Sequence, residues 1–155
     1  MSIVAEPNDK QKALHSLAGL WKGTQKLSQS PWEPKPGAAT TTVDVKVALE
    51  GFFTLADYTQ TRDDKSVYKA HLVMGFNNAR AMHQVYWFDS SGSAGAPFEG
   101  KAEVGSLAAQ RQGKKGHMRL TWAVKGDVMT LDMAFSIDGV NWKPFSEGTF
   151  KRVNK

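Results

Sequence analysis

Hydrophobic and polar residues alternate with a period of two along most of this chain. The clearest example is the run TTVDVKVAL, in which Val43, Val45, Val47 and Leu49 are separated by single residues that include Asp44 and Lys46. Side chains of a β-strand point alternately to opposite faces, so the pattern predicts a strand with one face in the core. From residue 20 onward, clusters of Gly, Pro, Asn and Asp separate about ten such runs. We therefore expect an all-β protein.

One helix is predicted before the first strand. Asn8 can cap a run in which Ala13, Leu14 and Leu17 recur at helical spacing, and Gly19 can end it. The helical period does not return later in the chain.

Many short antiparallel strands joined by hairpins favour a single up-and-down barrel, because closure removes the exposed edges of a sheet. We expect one barrel domain over residues 1–155, with the helix and lead-in at 1–18 and about ten strands at 19–153. Two irregular stretches, Ser28 to Gly37 and Ser90 to Pro97, interrupt the alternation. The first contains three prolines, which withhold a ladder donor, and is expected to form a loop or lid at one end of the barrel.

Counting residues across the turns predicts which side chains face inward. A turn at Glu50 and Gly51 places Tyr58 on the same face as the valines. A turn over 63–66 then sets His71 opposite Tyr58, and a five-residue turn over 77–81 sets His71 opposite Trp87. The predicted interior positions are Tyr58, Lys69, His71, Val73, Val85, Trp87 and Asp89.

A four-residue turn before the strand HQVYWFDS would reverse it, with Tyr86 and Phe88 inside and Trp87 and Asp89 outside, because a one-residue slip exchanges the two faces. The first register is favoured because it pairs Val73 with Val85. His83 shares the parity of Trp87 but is expected beside the turn, within reach of water.

The outer face of the same strands is predicted to be apolar and to need a cover, which the helix or a second subunit could supply. A homodimer through this face is therefore expected. The residues predicted on this outer face are Phe53, Leu55, Leu72, Met74 and Phe76. The first four of them are predicted to form the dimer contact.

Composition narrows the chemistry. The 155 residues are 41% apolar and include no Cys, which excludes thiolate catalysis, disulfides and thiolate metal sites.

No apolar run approaches the roughly 20 residues of a membrane helix, and the first ten residues lack the apolar middle of a secretory signal, so a cytoplasmic location without membrane contact is expected. The net charge is +5, but Lys and Arg are spread along the chain, so nucleic-acid binding is not expected. The densest basic run, RQGKKGHMR from Arg111, is interpreted as a hairpin tip with solvated lysines.

Neither metal nor cofactor chemistry is indicated. The four histidines, at positions 15, 71, 83 and 117, lack the close spacing of metal ligands. The run SIDGVNW from Ser136 to Trp142 resembles an Asp-box hairpin, in which Asp and Gly form the turn, and is interpreted as turn chemistry.

The motifs GLWKG at Gly19 to Gly23 and EGTFKRV at Glu147 to Val153 resemble those of the lipocalin and fatty-acid-binding superfamily. The order of LAGLWKGT, PGAATTTVDV, LEGFFTLADYTQ, KAHLVMGFN, VYWFDSSG and SIDGVNWKPFSEGTFKRV is similar to the bacterial family called domain of unknown function 1579. The resemblance implies a lipocalin-like, or calycin-like, barrel in which Trp21 plugs one end beneath Arg152 through cation–π stacking. It names no activity. A haem-binding relative would need a His near the carboxyl end, and no His follows His117, so haem is not expected.

The candidate site is the predicted interior set Tyr58, Lys69, His71, Trp87 and Asp89. Buried polar groups must be satisfied by one another, by water or by a ligand. Three alternatives follow. In the first, the polar groups form a closed network inside a packed barrel that acts as a dimeric interaction module. In the second, they line a cavity that binds a small organic molecule. In the third, His71, oriented by Asp89 and assisted by Tyr58, transfers a proton in an isomerase, cyclase or lyase.

Overall fold

The ten strands form one closed antiparallel barrel in which each strand pairs with its neighbours in sequence and β1 closes on β10. The computed structural model describes residues 5–31, 35–92 and 94–153. The predicted all-β barrel is confirmed. The strands are β1 (Gly19–Leu27), β2 (Gly37–Ala48), β3 (Phe53–Arg62), β4 (Val67–Asn77), β5 (Met82–Asp89), β6 (Phe98–Glu103), β7 (Ser106–Gly113), β8 (Gly116–Lys125), β9 (Val128–Ser136) and β10 (Lys143–Arg152).

The predicted helix closes one end of the barrel. Helix α1 (Asp9–Ala13) continues into a tighter 3₁₀ turn, Leu14–Leu17. Asn8 caps α1 by accepting hydrogen bonds from the backbone N–H groups of Lys10 and Gln11, while the Gln11 side chain accepts one from the Asn8 backbone. Leu14 and Leu17 are fully buried against the strand ends. The helix therefore seals the barrel floor and does not cover the outer face of the sheet. No helix among the described residues is long and apolar enough to cross a membrane.

Trp21 lies at the centre of this closed end. Its side chain is completely buried, and its indole N–H donates to the Leu17 carbonyl oxygen at 3.1 Å. The Arg152 guanidinium carbon lies 4.2 Å from the Trp21 ring centroid, and Nη1 donates to the Ala18 carbonyl oxygen at 2.8 Å. The guanidinium thus links the helix, the first strand and the last strand.

The register between β2 and β3 follows the prediction, since Val43 pairs with Tyr58. Tyr58 is buried inside the barrel. Leu49, expected to face inward, lies in the turn after β2 with 67% of its surface exposed and a positive φ of 51°. The strand ends one residue earlier than the apolar pattern indicates, which frees Leu49 from the sheet.

The predicted register between β3 and β4 is wrong by one residue. Tyr58 pairs with Ala70, and His71 pairs with Asp57. The hairpin loop has three residues, not four, because Arg62 N–H donates to the Ser66 carbonyl oxygen at 2.9 Å and Lys65 adopts a positive φ of 73°. A glycine usually marks that conformation, and Lys65 gives no such signal. The slip exchanges the two faces of β4, so Lys69, His71 and Val73 do not point into the barrel.

A second one-residue error cancels the first. The loop between β4 and β5 has four residues, since Asn77 pairs with Met82, and Ala81 takes a positive φ of 54°. Leu72 consequently pairs with Trp87, and Val73 pairs with Tyr86 rather than with Val85. Val85 and Trp87 are buried as predicted.

The predicted outer face is therefore partly wrong. Leu72 and Met74 are buried in the core, at 1% and 0% exposure, and cannot form a dimer contact. Phe76 lies at the helix end of the barrel, where the centroid of its ring is 4.9 Å from that of the His83 ring. Phe53 and Leu55 do lie outside, where Val73, Tyr86 and Phe88 join them by register. A homodimer through this face stays a prediction.

Candidate functional site

A cavity of about 640 Å³ opens at the end of the barrel opposite the helix. This volume falls in the range of roughly 300 to 1,000 Å³ that is usual for small-molecule sites. The barrel is thus packed at its helix end and open at the other end, which contradicts a fully packed interior. The lining of the cavity includes Tyr58, Gln60, Tyr68, Trp87, Asp89, Arg111, Met118, Met133, Phe145 and Ser146.

Gln25 organises a buried polar cluster beside the cavity. Its Oε1 accepts hydrogen bonds from Thr41 Oγ1, from the Tyr58 hydroxyl at 2.6 Å and from Gln60 Nε2 at 2.9 Å. Its Nε2 donates to Ser146 Oγ at 3.2 Å. Burial raises the pKa of Tyr58 to about 12, although the hydrogen bonds to Gln25 and Gln60 act in the opposite direction. Tyr58 is consequently a neutral hydrogen-bonding group at physiological pH.

A second chain of hydrogen bonds crosses the wall formed by β4 and β5. The Trp87 indole N–H donates to the Tyr68 hydroxyl at 2.8 Å, and that hydroxyl donates to Asp89 Oδ2 at 2.8 Å. Asp89 Oδ1 accepts from the backbone N–H of Ser91 at 3.0 Å and from the Ser91 hydroxyl. Burial, together with the Asp89 carboxylate, raises the pKa of Tyr68 well above its usual value. Tyr68 is therefore a neutral donor, and both oxygens of Asp89 act as hydrogen-bond acceptors.

The cavity has two chemically different walls. On one side, the Tyr58 ring lies 5.8 Å from the Trp87 ring and 6.0 Å from the Tyr68 ring, measured between centroids. On the other side, the strands β8, β9 and β10 contribute Met118, Met133 and Phe145. Aromatic faces opposite flexible thioethers can enclose a flat apolar molecule, while the hydroxyl and amide groups can orient it.

Loops on three sides frame the mouth. In the loop after β5, Ala96 O accepts from Arg111 Nη1 at 3.2 Å, and Gly95 and Ala96 line the opening. The β7–β8 hairpin tip reaches the opposite loop, where Lys115 Nζ donates to the Pro31 carbonyl oxygen at 3.2 Å. The segment Ser28 to Gly37, expected to be a loop or lid, includes residues 32–34, which lie outside the described residues. The contact at Pro31 places its first part beside the mouth.

The predicted site residues separate into two groups. Tyr58, Trp87 and Asp89 line the cavity together. Lys69 and His71 do not reach it, because the register of β4 turns both to the outer surface. There, His71 Nδ1 lies 2.7 Å from Asp57 Oδ1. Proton transfer by His71 with Asp89 and Tyr58 therefore has no geometric basis.

Three important residues escaped prediction, although the sequence carries a signal for two of them. Arg111 follows Leu107 and Ala109 at a spacing of two, so the parity of β7 places it inside despite its charge. Gln25 follows Trp21 and Gly23 in the same way on β1. Tyr68 could be found only with the correct length of the loop before β4.

His83 is also placed differently from expectation. It is 2% exposed and lies beneath the helix, where Nε2 contacts the Lys10 carbonyl oxygen at 2.8 Å and Nδ1 accepts from the Ala102 N–H at 3.0 Å. The described residues contain no group of three His, Asp or Glu side chains that could hold a metal ion. Asp138 is a turn residue whose Oδ1 accepts from the backbone N–H groups of Val140 and Asn141, both at 2.8 Å.

Comparison with known proteins identifies the family of the chain. A comparison with curated proteins found no significant match. The profile of one family, described as "Protein of unknown function (DUF1579)", matches residues 6–152. That match spans nearly all of the chain, from the residues before the helix to the last strand. The chain therefore belongs to the DUF1579 family.

Proposed function

We propose that the protein binds a small organic molecule in the barrel cavity. The observation that carries the proposal is the open volume of about 640 Å³ between an aromatic wall and a methionine-rich wall. Burying apolar surface of a ligand there is favourable by about 25 cal/mol for each Å² removed from water. Trp87 and Tyr58 supply flat surfaces for stacking, while Gln60 and Ser146 supply polar groups for orientation.

The rigidity of the walls supports binding. Gln25 holds Tyr58 and Gln60, and Asp89 holds Tyr68 and through it Trp87. These side chains are fixed by protein partners, so a ligand does not need to order them on arrival. The polar groups satisfy one another, as the closed-network alternative expected, yet the space beside them remains open.

A fluorescence titration tests the proposal. N-phenyl-1-naphthylamine is a neutral aromatic probe that brightens on leaving water, and we expect saturable binding with one site per chain. The substitution Met133→Trp fills part of the cavity and should weaken binding of the probe at least tenfold. Met82→Trp adds the same side chain at a site that is 39% exposed outside the cavity, and it should change the affinity less than twofold.

Two outcomes would contradict the proposal. The first is no saturable brightening with the unaltered protein. The second is equal binding by the Met133→Trp variant after circular dichroism has shown that its sheet is intact. Native mass spectrometry of freshly purified protein provides a second measurement, in which a retained molecule of small mass supports the proposal. The same spectrum reports subunit number and tests the predicted homodimer.

Proton transfer has weaker support than binding. His71, the expected base, lies on the outer surface, and Asp89 is already paired with Tyr68 and Ser91. Binding without chemistry is therefore the function we propose. A cytoplasmic location stays a prediction.

A further inference from the structure

The mouth of the cavity carries an excess of positive charge. Among the described residues that line it, Arg62, Arg111, Lys114 and Lys115 are cationic and Asp89 alone is acidic. Clefts lined by one sign of charge raise the local concentration of oppositely charged ligands. The charge at the opening therefore favours an anion.

Arg111 differs from Lys114 and Lys115 because it is half-buried inside the barrel, whereas both lysines are exposed. Its guanidinium carbon lies 4.4 Å from the Phe98 ring centroid, so the cation packs over the ring. In the described part of the chain it makes one hydrogen bond, to the Ala96 carbonyl oxygen at 3.2 Å, although a guanidinium carries five N–H donors.

Protein groups around Arg111 compensate its charge only in part. Burial lowers the pKa of the guanidinium, while Tyr68 and the Asp89 carboxylate act in the opposite direction. Asp89 directs its Oδ2 to Tyr68 and its Oδ1 to Ser91. No carboxylate of the described residues lies within 4 Å of Arg111, in contrast to Arg80, which pairs with Glu99 at 2.6 Å. The half-buried guanidinium therefore has no carboxylate partner among the described residues, and an anionic ligand in the cavity would supply one.

We infer that the ligand is a flat apolar carboxylic acid, bound with its carboxylate at Arg111 and its body between the Trp87 wall and the methionines. This inference rests on the small-molecule binding proposed above and names the class of molecule. A guanidinium donates two parallel hydrogen bonds to a carboxylate, which fixes orientation as well as charge. The carboxylate would then remain near the mouth, while the apolar body enters the cavity.

Competition between a matched acid and amide tests the inference. The compounds are 2-naphthoate and 2-naphthamide, which have the same ring system and nearly the same shape but differ in charge. Each displaces N-phenyl-1-naphthylamine from the cavity, and the concentration for half displacement is measured. We expect 2-naphthoate to compete at least tenfold more strongly with the unaltered protein. Equal competition by the two compounds would overturn the inference while leaving the proposed function intact.

Substitution of Arg111 assigns the preference to one side chain. Arg111→Met keeps a flexible apolar stem against Phe98 and should remove the preference for 2-naphthoate over 2-naphthamide, each concentration being corrected for the probe affinity measured with the same variant. The matched control is Arg119→Met, because Arg119 also stacks on an aromatic ring, Trp142, at 4.4 Å but does not line the cavity. That control should keep the full preference. An unchanged preference in Arg111→Met would contradict the assignment.

Two further measurements keep the test independent of one variant. Arg111→Lys retains the charge without the planar fork and should keep a reduced preference, between those of the unaltered protein and Arg111→Met. Replacing Lys114 and Lys115 together by Gln removes exposed, screened charge and should lower the preference about twofold or less. A loss as large as that of Arg111→Met would place the anion at the hairpin tip and overturn the role of Arg111. A failure of N-phenyl-1-naphthylamine to bind at all would instead contradict the proposed function.

Discussion

The Tyr68 hydroxyl donates to Asp89 Oδ2 at 2.8 Å, which connects the first turn-side residues of β4 with the last residue of β5 in the cavity wall. The same hydroxyl accepts the Trp87 indole proton. One oxygen atom therefore satisfies an indole and a carboxylate, and the aromatic wall is held in one arrangement.

Replacing Tyr68→Phe should lower the free energy of unfolding by about 1 to 3 kcal/mol, because it leaves the Trp87 N–H and one Asp89 oxygen without this partner. Urea unfolding followed by circular dichroism measures the change. Tyr86→Phe is the matched control, since its exposed hydroxyl lies 3.5 Å from Gln84 Oε1, and its cost should stay below about 0.5 kcal/mol. A loss for Tyr68→Phe no greater than that of the control would show that the hydroxyl does not hold the wall.

Gln25→Met should be more destabilising, by about 2 to 4 kcal/mol, because one carbonyl oxygen serves three buried donors that would lose it together. Thr41, Tyr58 and Gln60 are those donors. The control is Gln110→Met on the exposed face of β7, which should be nearly neutral. Chemical denaturation of both variants measures the difference, and similar stabilities would contradict the central role of Gln25.

The barrel itself was predictable because alternation along the strands and turn residues between them both survive in the sequence. The site was predictable only in part. Tyr58 follows from the length of the turn before β3, whereas two loops closed by Lys65 and Ala81 in left-handed conformations conceal the true register of β4. Because a one-residue slip exchanges faces, the loop length decided between His71 and Tyr68 as the interior residue. Trp87 was placed correctly only because the two slips cancel.

Stability should fall as the pH decreases through about 6.5, because His83 is held neutral in the folded state. Burial lowers its pKa below the ordinary value of 6.5, and Nδ1 must accept the Ala102 N–H. At a pH between the lowered pKa of His83 in the folded state and its ordinary pKa in the unfolded chain, the unfolded chain binds more protons than the folded protein. The free energy of unfolding therefore rises with pH in this range and falls on acidification. Urea unfolding at several pH values between 5.5 and 7.5 measures the slope.

His83→Gln should flatten this slope, since Gln can donate to Lys10 O and accept from Ala102 N–H without titrating. A slope that persists in His83→Gln would assign the pH dependence to another group.

Arg152→Met should lower stability by about 1 to 3 kcal/mol, because it removes both the stacking on Trp21 and the hydrogen bond to the Ala18 carbonyl oxygen. Lys151→Met, at the neighbouring exposed position, is the control and should be nearly neutral. Thermal unfolding of the two variants provides the comparison. Equal midpoints would mean that the guanidinium does not stabilise the closed end.

The indole resonances of the tryptophans test the central claim most directly. In a proton–nitrogen correlation spectrum, the Trp87 Nε1–H signal is identified by its loss in Trp87→Phe, and the protein is titrated with N-phenyl-1-naphthylamine. The account predicts that the Trp87 signal shifts with saturation, while that of Trp122, completely buried and outside the cavity lining, stays in place. A saturating titration that shifts the Trp142 signal on the surface and leaves Trp87 unchanged would contradict binding in the barrel cavity.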